Sequence, residues 1–449
     1  YALSFDPEKR QLRVDLASDA EADPKALPGG GVKLVQALRG SDLVSDDEQR
    51  QRAADLRAYL ATPGAGTPLV GGENDAPGYT FLHFNGDQQA PVYLQGDFNE
   101  WGVSDPTPLP TVLSGRLGYK ARQTSATELL YAFVSGGARY QDPLNPEVII
   151  HAGPLQPNLD NVIGGNQGLF DSQARQMGAF APCSRLHHLA LPRTRGTLRE
   201  VFVYLPPGYD EKMKYPVLYV HDGQDALVLG RYKDSLDRAI GNCNGAGPGV
   251  IPRTIVVFVP AQSETAARLA DFAPFADERF PDVRPQADDF MAFFTDVIMP
   301  TVEGRYAIDA QPGKRAMLGV DMAGAFTFYM AWKDAAGRFT RVASQSGRFG
   351  WGYSSADPTR QPFVDLIKTT DKSALLKRIS LESLRGDSYQ VTAANTALVS
   401  YFTQSPAYRN MVNLPDPQPV PSAASSPWPL WTGLNLQNTL QFLLGDLTN

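Results

Sequence analysis

From about residue 185 onward, short apolar runs of strand type alternate with amphipathic segments of helix type. The strand-type runs include LREVFVYLP, YPVLYVHDG, TIVVFVPA and AMLGV, and the helical segments include DDFMAFFTDVIMPTVEGRY and GAFTFYMAW. This alternation predicts an open, mostly parallel α/β sheet that is covered by helices. Because such sheets bind ligands at the carboxyl ends of their strands, we expect the functional residues there.

The stretch LGVDMAGAF (318–326) has the pattern of a nucleophile elbow with an unusual central residue. A nucleophile elbow reads Gly-x-Ser-x-Gly and displays the serine on a sharp turn between a strand and a helix. Asp321 occupies the serine position, and Ala323 stands where the second glycine belongs, followed by Gly324. The sequence therefore predicts an elbow that displays a carboxylate instead of a hydroxyl.

The chain contains five histidines, and none of them follows the elbow. They are His83, His151, His187, His188 and His221. A hydroxyl nucleophile in this fold takes its base from a histidine that follows the elbow and the acid in the chain. With neither a hydroxyl at the elbow nor a histidine beyond it, the sequence excludes the standard serine-esterase mechanism.

Residues 75–147 contain short β-type runs separated by Gly, Asn, Asp and Pro, which predicts a small antiparallel sandwich. Within them, VYLQGDFNEW followed by YAFVSGGARYQDPLNP resembles the Ig-like early-set domain that is related to glycogen-binding modules. The resemblance implies structural roles for the GDFN-x-W turn and for the DPxNP motif. Trp101, in that turn, is also a candidate for stacking on a sugar ring.

The segment REVFVYLPPGYDEKMKYPVLYVHDGQD resembles the opening of the enterochelin-esterase-like (esterase D-type) α/β-hydrolases. GTPLV, MPTVEGRY and VASQSG occur in the order expected for the same family. The resemblance implies a multidomain chain in which an Ig-like β-sandwich precedes an α/β-hydrolase domain with a mostly parallel sheet. The expected organisation is an N-terminal helical segment at 1–74, the Ig-like domain at 75–147, a linker at 148–184 and the esterase-like domain at 185–449.

The resemblance also implies where the family's catalytic triad falls in this chain. The serine corresponds to Asp321, and the acid corresponds to Asp387 in SLESLRGDSYQ. In SSPWPLWTG, Trp428 and Trp431 match two tryptophans that follow the family's histidine, which places Ser426 at the histidine position. Both proton-transfer residues are therefore replaced and only the acid remains. The two tryptophans are also candidate ligand contacts.

An alternative makes Asp321 itself the nucleophile, as an aspartate is in some α/β-hydrolases. Such an enzyme still needs a base that activates water, and His221, at the end of a predicted strand, is the candidate. The opposite interpretation is that His221 is a strand-end residue bonded to local backbone. The candidate oxyanion-hole residues are Gly223, Gln224 and Met322.

Four carboxylates are predicted to face one pocket, namely those of Asp321, Asp387, Asp222 and Asp225. Because like charges in one cleft repel, a carboxyl must raise its pKa, a cation must bind, or an arginine must neutralise them. Ca²⁺ or Mg²⁺ would suit such ligands, but the sequence has no spaced ligand loop, so we expect no metal and no other cofactor. Arg268, Arg315 and Arg348 are the candidates for neutralising Asp321, which would turn the site into a structural salt bridge.

These patterns favour a pseudo-hydrolase that binds a small-molecule or protein ligand. The alternatives are an ester hydrolase with Asp321 as nucleophile and His221 as base, and a structural or assembly scaffold. The chain has 41 basic and 48 acidic residues, a net charge of −7, and no basic cluster, which argues against nucleic acid as a partner. No apolar run approaches the roughly 18 residues of a membrane span.

The sequence begins with Tyr1, and we expect an exported bacterial protein, periplasmic or extracellular, although a cytoplasmic location stays open. Two cysteines, Cys183 and Cys243, are too few for a multi-cysteine zinc site. They form either one disulfide or two separate thiols.

Overall fold

The structure is a computed structural model. It describes residues 2–6, 11–15, 45–60, 67–70, 78–85, 90–102, 104–123, 128–145, 148–150, 170–175, 184–192, 198–241, 247–262, 265–385, 387–418, 431–432 and 435–447. The chain divides into two compact units, with the described residues up to 175 in the first and those from 184 in the second. Cys183 and Cys243 lie outside the described residues, so their pairing stays a prediction. The four predicted domain boundaries also stay predictions.

The first unit consists of antiparallel sheets and one helix. Its strands are β1 (Ala2–Asp6), β2 (Gln11–Asp15), β3 (Leu69–Val70), β4 (Gly78–Phe84), β5 (Val92–Gly96), β6 (Thr111–Val112), β7 (Leu117–Gln123), β8 (Glu128–Ser135), β9 (Ala138–Tyr140), β10 (Val148–Ile150) and β11 (Phe170–Arg175). One sheet has the order β3-β4-β7-β6 and another the order β10-β11-β8-β5, with β9 paired to β8. Strands β1 and β2 pair with each other. The prediction of antiparallel sheets in this part of the chain is confirmed.

An aromatic core joins the two larger sheets of the first unit. Tyr79 and Phe81 from β4 share one buried cluster with Tyr131 and Phe133 from β8. The rings of Phe81 and Tyr131 meet edge to face with centroids 4.7 Å apart. Because one apolar core takes side chains from both sheets, the sheets stack face to face.

Helix α1 (Asp46–Leu60) packs on the sheet that contains β4. Its Leu56 and Leu60 are buried in a second cluster with Leu82 and Leu117. The hydroxyl of Ser45 accepts a hydrogen bond from the Glu48 amide over 3.3 Å, which is one half of a capping box. Ser45 therefore caps the start of this helix.

The DPLNP motif is a buried polar anchor. Asp142 is fully enclosed, and its carboxylate accepts from the Thr67 hydroxyl at 2.6 Å and the Tyr131 hydroxyl at 2.7 Å. The backbone amide of Leu144 donates to the same carboxylate at 2.9 Å. The side-chain amide of Asn145 donates to the Tyr131 hydroxyl at 3.0 Å. Burial raises the pKa of Asp142, against the effect of these hydrogen bonds. The motif therefore has a structural role in this chain.

The second unit is built on an eight-stranded sheet. Its strands are β12 (Arg185–Pro192), β13 (Leu198–Leu205), β14 (Val217–His221), β15 (Ile255–Val259), β16 (Arg315–Val320), β17 (Arg341–Gln345), β18 (Arg378–Glu382) and β19 (Val412–Asn413). The order across the sheet is β12-β13-β15-β14-β16-β17-β18-β19. Strand β13 is antiparallel to both of its neighbours, and all other pairs are parallel. The predicted mostly parallel sheet is confirmed.

Helices cover this sheet. They are α2 (Gly223–Val228), α3 (Tyr232–Ile240), α4 (Thr265–Phe272), α5 (Ala287–Phe293), α6 (Met299–Arg305), α7 (Met322–Lys333), α8 (Pro362–Thr369), α9 (Tyr389–Gln404) and α10 (Leu436–Leu444), with a π-helical turn (Phe294–Ile298) between α5 and α6. Every residue of β14, β15 and β16 is buried, which explains why these strands are apolar apart from His221 at the end of β14 and Arg315 at the start of β16. Among the described residues, no helix has the length and apolar character needed to cross a membrane.

Gly319 is required for the close approach of β16 to α7. A Cβ atom at this position would lie 2.4 Å from both the carbonyl carbon and the carbonyl oxygen of Ala323. We expect Gly319→Ala to lower the free energy of unfolding by about 3 kcal/mol, because backbone atoms must move to accommodate the methyl group. The measurement is denaturant-induced unfolding at equilibrium.

Gly304→Ala is the matched control. Gly304 lies in α6, and a Cβ there would meet nothing within 4 Å. We expect this variant to gain up to about 1 kcal/mol, because alanine favours helix more than glycine does. Equal effects of the two substitutions would contradict the packing described for Gly319.

Candidate functional site

Asp321 lies on the strand–turn–helix that the sequence predicts. It follows β16, precedes α7 and has φ 58° and ψ −124°, a conformation that residues other than glycine rarely adopt. A Cβ at Gly324 would lie 2.6 Å from the Ser344 hydroxyl, so the close approach in this turn falls at Gly324. Ala323, at the position of the second glycine, is buried together with its methyl group.

Arg348 neutralises Asp321. Its Nε lies 3.0 Å from Oδ1 and its Nη2 lies 3.2 Å from Oδ2, so the pair is bidentate. A backbone hydrogen bond also joins the two residues, since the Arg348 amide donates to the Asp321 carbonyl at 3.2 Å. The Asp321 amide donates to the Gln345 carbonyl at 3.0 Å. The two side chains remain 29% and 22% exposed, so this ion pair is accessible to solvent.

The other two candidate arginines pair elsewhere. Arg268 binds both carboxylate oxygens of Asp222, which is fully buried, and its Nε lies 2.9 Å from Oδ1. Arg315 binds both oxygens of Glu303 on α6 at 2.7 Å, so the hypothesis that it neutralises Asp321 is wrong. Arg268 also interacts electrostatically with Asp225 and Asp321.

The beginning of α2 contains two buried polar atoms without a partner among the described residues. They are Oδ1 of Asp225 and Nε2 of Gln224. Burial and the charge of Asp222 together, opposed by Arg268, raise the pKa of Asp225 to about 7. The carbonyl oxygen of the Gln224 side chain accepts from the Ala261 amide at 3.0 Å. Near neutral pH, the carboxyl group of Asp225 can therefore donate or accept a hydrogen bond.

Asp387, the position of the triad acid, lies on the other side of the elbow. It accepts from the Leu384 amide at 2.7 Å and hydrogen-bonds to Ser346. Burial raises the pKa of Asp387, and the charge of Asp321 adds to the effect. The Ser346 hydroxyl in turn accepts from Nε1 of Trp431 at 3.0 Å. Asp222 and Asp321 are thus each paired with an arginine, and Asp387 is hydrogen-bonded to Ser346. Asp225 interacts electrostatically with Asp222, and Asp387 with Asp321.

Trp431 does not present a face to a ligand. Its side chain is fully buried, with its indole N–H directed at Ser346. The prediction that it contacts ligand is therefore corrected to a structural role. Ser426 and Trp428 lie outside the described residues, and Trp101 lies in the short 3₁₀ helix Asp97–Gly102 of the first unit.

His221 is not brought to Asp321. Its ring is enclosed by four phenylalanine rings, with centroid distances of 6.4, 6.2, 5.2 and 5.1 Å to Phe272, Phe290, Phe294 and Phe326. Neither ring nitrogen has a hydrogen-bond partner among the described residues. The side chain packs against α4, α5 and α7. The structure therefore favours neither a base paired to Asp321 nor a ring bonded to local backbone.

The candidate oxyanion-hole residues occupy the two helix starts beside the elbow. Gly223 and Gln224 are the first residues of α2, and Met322 is the first residue of α7. A Cβ at Gly223 would lie 2.5 Å from the Val259 amide nitrogen, so this position admits only glycine. Their function as donors stays a prediction. Among the described residues, no three His, Cys, Asp or Glu side chains are placed to hold a metal.

Sequence reasoning missed Glu382, the last residue of β18. This fully buried carboxylate accepts four hydrogen bonds. The donors are Ser380 at 2.7 Å, Thr439 at 2.7 Å, Asn435 at 2.7 Å and Gln345 at 3.1 Å. Its carbonyl accepts from the Ser346 amide at 2.9 Å and so fixes the turn that carries Arg348. The only sign of Glu382 in the sequence is that a glutamate ends the predicted strand RISLE.

Comparisons with known proteins show what the second unit is similar to. Residues 193–400 match the model of a family described as "Putative esterase". The match supports an esterase-family relationship for this part of the chain, and the mostly parallel eight-stranded sheet is consistent with an α/β-hydrolase fold. No curated protein sequence matches the chain.

Several solved structures are similar to the chain at low identity. The enterobactin esterase from Shigella flexneri, solved with enterobactin, is 15% identical over 82% of this chain and 92% of its own, with a TM-score of 0.45. A ferric enterobactin esterase from Salmonella typhimurium is 18% identical over 83% and 94%, with a TM-score of 0.43. An IroE-like serine hydrolase from Shewanella oneidensis is 16% identical over 59% and 81%, with a TM-score of 0.44.

The enclosed ring of His221 predicts a loss of stability in mild acid. Burial lowers the pKa of His221 to about 3, from 6.5. Below pH 6.5 the unfolded chain therefore takes up a proton that the folded chain refuses, and stability falls until the pH reaches the folded pKa. We expect this residue alone to cost about 2 kcal/mol of unfolding free energy between pH 8 and pH 5.

The measurement is equilibrium unfolding of the wild type and of His221→Leu at pH 8 and at pH 5. We expect the variant to lose less stability than the wild type on acidification by roughly this amount. Identical losses in the two proteins would show that His221 is not held neutral in the fold.

Proposed function

We propose that the chain is a catalytically degenerate esterase-fold protein, a pseudo-hydrolase that acts by binding a ligand or partner at the elbow. The observation that carries this proposal is the bidentate pair between Asp321 and Arg348. The residue displayed where the family pattern has its nucleophile is a carboxylate already bound to a guanidinium group. The site offers charged groups that can recognise polar ligands, and its elbow position carries no hydroxyl to attack an ester.

The missing proton acceptor supports the same proposal. General-base assistance contributes about 10²- to 10⁴-fold to reactions of this kind. His221 is enclosed by phenylalanine rings, and the sequence contains no histidine beyond the elbow. The alternative hydrolase, with Asp321 as nucleophile and His221 as base, would have to break the Arg348 pair and move a buried ring.

A structural scaffold is the second candidate function, and the Trp431 contact favours it. The buried indole bonds to Ser346 and ties the segment before α10 to the turn beside the elbow. A site whose polar groups serve only to hold such elements together would need no ligand. Against this, the Asp321–Arg348 pair keeps a substantial part of its surface exposed.

We also propose that the first unit is an Ig-like sandwich of the early-set type. The support is its two stacked antiparallel sheets and the structural DPLNP anchor at Asp142. Its role in the protein would be binding or positioning, in keeping with a chain that has no hydrolytic residue pair at the elbow.

Hydrolysis of a short p-nitrophenyl ester between pH 5 and pH 9 tests the proposed function. We expect rates at the level of the uncatalysed reaction for the wild type and for Asp321→Ala alike, because neither protein has a hydroxyl–histidine pair. An authentic serine esterase of the same fold serves as the positive control. Wild-type hydrolysis that disappears in Asp321→Ala would overturn the proposal.

A further inference from the structure

The ion pairs at the elbow leave specific donors unused. We define the arginine–carboxylate site as Asp222, Asp225, Arg268, Asp321 and Arg348. Each arginine binds its carboxylate through Nε and Nη2, and neither Nη1 group has a partner among the described residues. The side chains of Arg268 and Arg348 are 17% and 29% exposed. Two guanidinium groups are therefore held rigidly with one donor edge free.

The same site contains one carboxyl oxygen and one side-chain amide nitrogen that have no hydrogen-bond partner among the described residues. Oδ1 of Asp225 is buried and unpartnered, and its carboxyl lies close enough to the Asp222–Arg268 pair to feel both charges. Nε2 of Gln224, one residue earlier in α2, is a buried donor without a partner in the described part of the chain. An unsatisfied buried polar atom costs about 1–3 kcal/mol, which a ligand or a water molecule can recover.

Charge balance decides which ligand fits. Arg268 is paired with Asp222 and Arg348 with Asp321, so the two strongest charges of each sign already cancel. A charged ligand would have to break one of these pairs or leave a net charge in a partly desolvated place. A hydroxyl group needs neither, because it accepts from a guanidinium edge and donates to a carboxyl oxygen at the same time.

We propose that the arginine–carboxylate site binds a neutral polyhydroxylated compound of the sugar type, an inference that rests on the proposed binding function. Adjacent hydroxyls of one sugar ring would accept from the free edges of Arg268 and Arg348 and donate to Asp225 and Asp321. The ligand would keep both ion pairs intact. Affinity then comes from satisfying buried polar atoms in a site whose arginines are already held in place.

Three sugars of the same ring size and different charge test this proposal. Glucose, glucosamine and glucuronate are titrated into the full chain near pH 6, where the amine is largely cationic and the acid anionic. Binding is followed by saturation-transfer NMR. We expect saturable binding of glucose and at least about fivefold weaker binding of both charged sugars. Stronger binding of either charged sugar, or no saturable binding of glucose, would overturn the proposal.

Substitutions at Asp225 locate the binding. We expect Asp225→Ala to weaken glucose binding about tenfold, because one hydrogen bond is lost. Asp225→Asn keeps a donor and an acceptor of the same size, and its affinity should stay near that of the wild type. Glu303→Gln, which alters the Arg315 pair on α6, is the matched control and should bind as the wild type does. Equal binding by Asp225→Ala and the wild type would contradict the assignment.

The two proposals fail separately. Ester hydrolysis by the same preparation would overturn the proposed function, whichever sugar binds. Absence of glucose binding together with absence of hydrolysis would overturn only the ligand class.

Discussion

The elbow depends on holding Asp321, which carries a Cβ atom, in a backbone conformation that ordinarily belongs to glycine. Asp321 has φ 58° and ψ −124°, which costs of order 1–3 kcal/mol. Close packing offsets this cost, since Gly319 and Gly324 allow β16, α7 and β17 to approach one another. The Asp321–Arg348 pair adds about 1 kcal/mol at its level of exposure, so it fixes the side chain more than it stabilises the fold.

That fixed carboxylate determines the electrostatics of its surroundings. Arg348 is bound to Asp321 through both its side chain and its backbone, and Arg268 is bound to Asp222, so neither arginine is free to turn toward a ligand as a whole. Asp225 and Asp387 carry raised pKa values because they are buried near the paired carboxylates. The result is a polar site with paired charges at the carboxyl end of the sheet, and the proposed binding function rests on it.

The sequence predicts the architecture well where one physical constraint acts on a long segment. Strands buried on both faces are predominantly apolar, so β14, β15 and β16 can be recognised in the sequence. The turn at Asp321 can be recognised from its small neighbours. Which charged side chains pair with each other cannot be predicted from the sequence. Arg268, Arg315 and Arg348 were equivalent candidates for Asp321, and only the turn after β17 brings Arg348 within reach.

The surroundings of His221 and Trp431 could not be predicted from local sequence. Alternate residues of a strand point to opposite faces, and no pattern indicates which face of β14 receives His221. Trp431 is 85 residues beyond its partner Ser346, so local sequence gives no sign that its indole N–H is buried. Glu382 escaped notice for the same reason, because its four donors come from three separate segments.

The most direct test of the central claim is isotope transfer from water to Asp321. If Asp321 attacked the acyl carbon of the ester, a mixed anhydride would form and p-nitrophenolate would leave. Water that attacked this anhydride at the aspartate carbonyl would release the acid, and an oxygen of the water would remain in the carboxylate of Asp321. The full chain is incubated with a p-nitrophenyl ester in ¹⁸O-labelled water, and the peptide that contains Asp321 is weighed by mass spectrometry. The account predicts no gain of label over a sample without ester. Labelled oxygen in Asp321 that depends on the ester would contradict it and establish a covalent hydrolase.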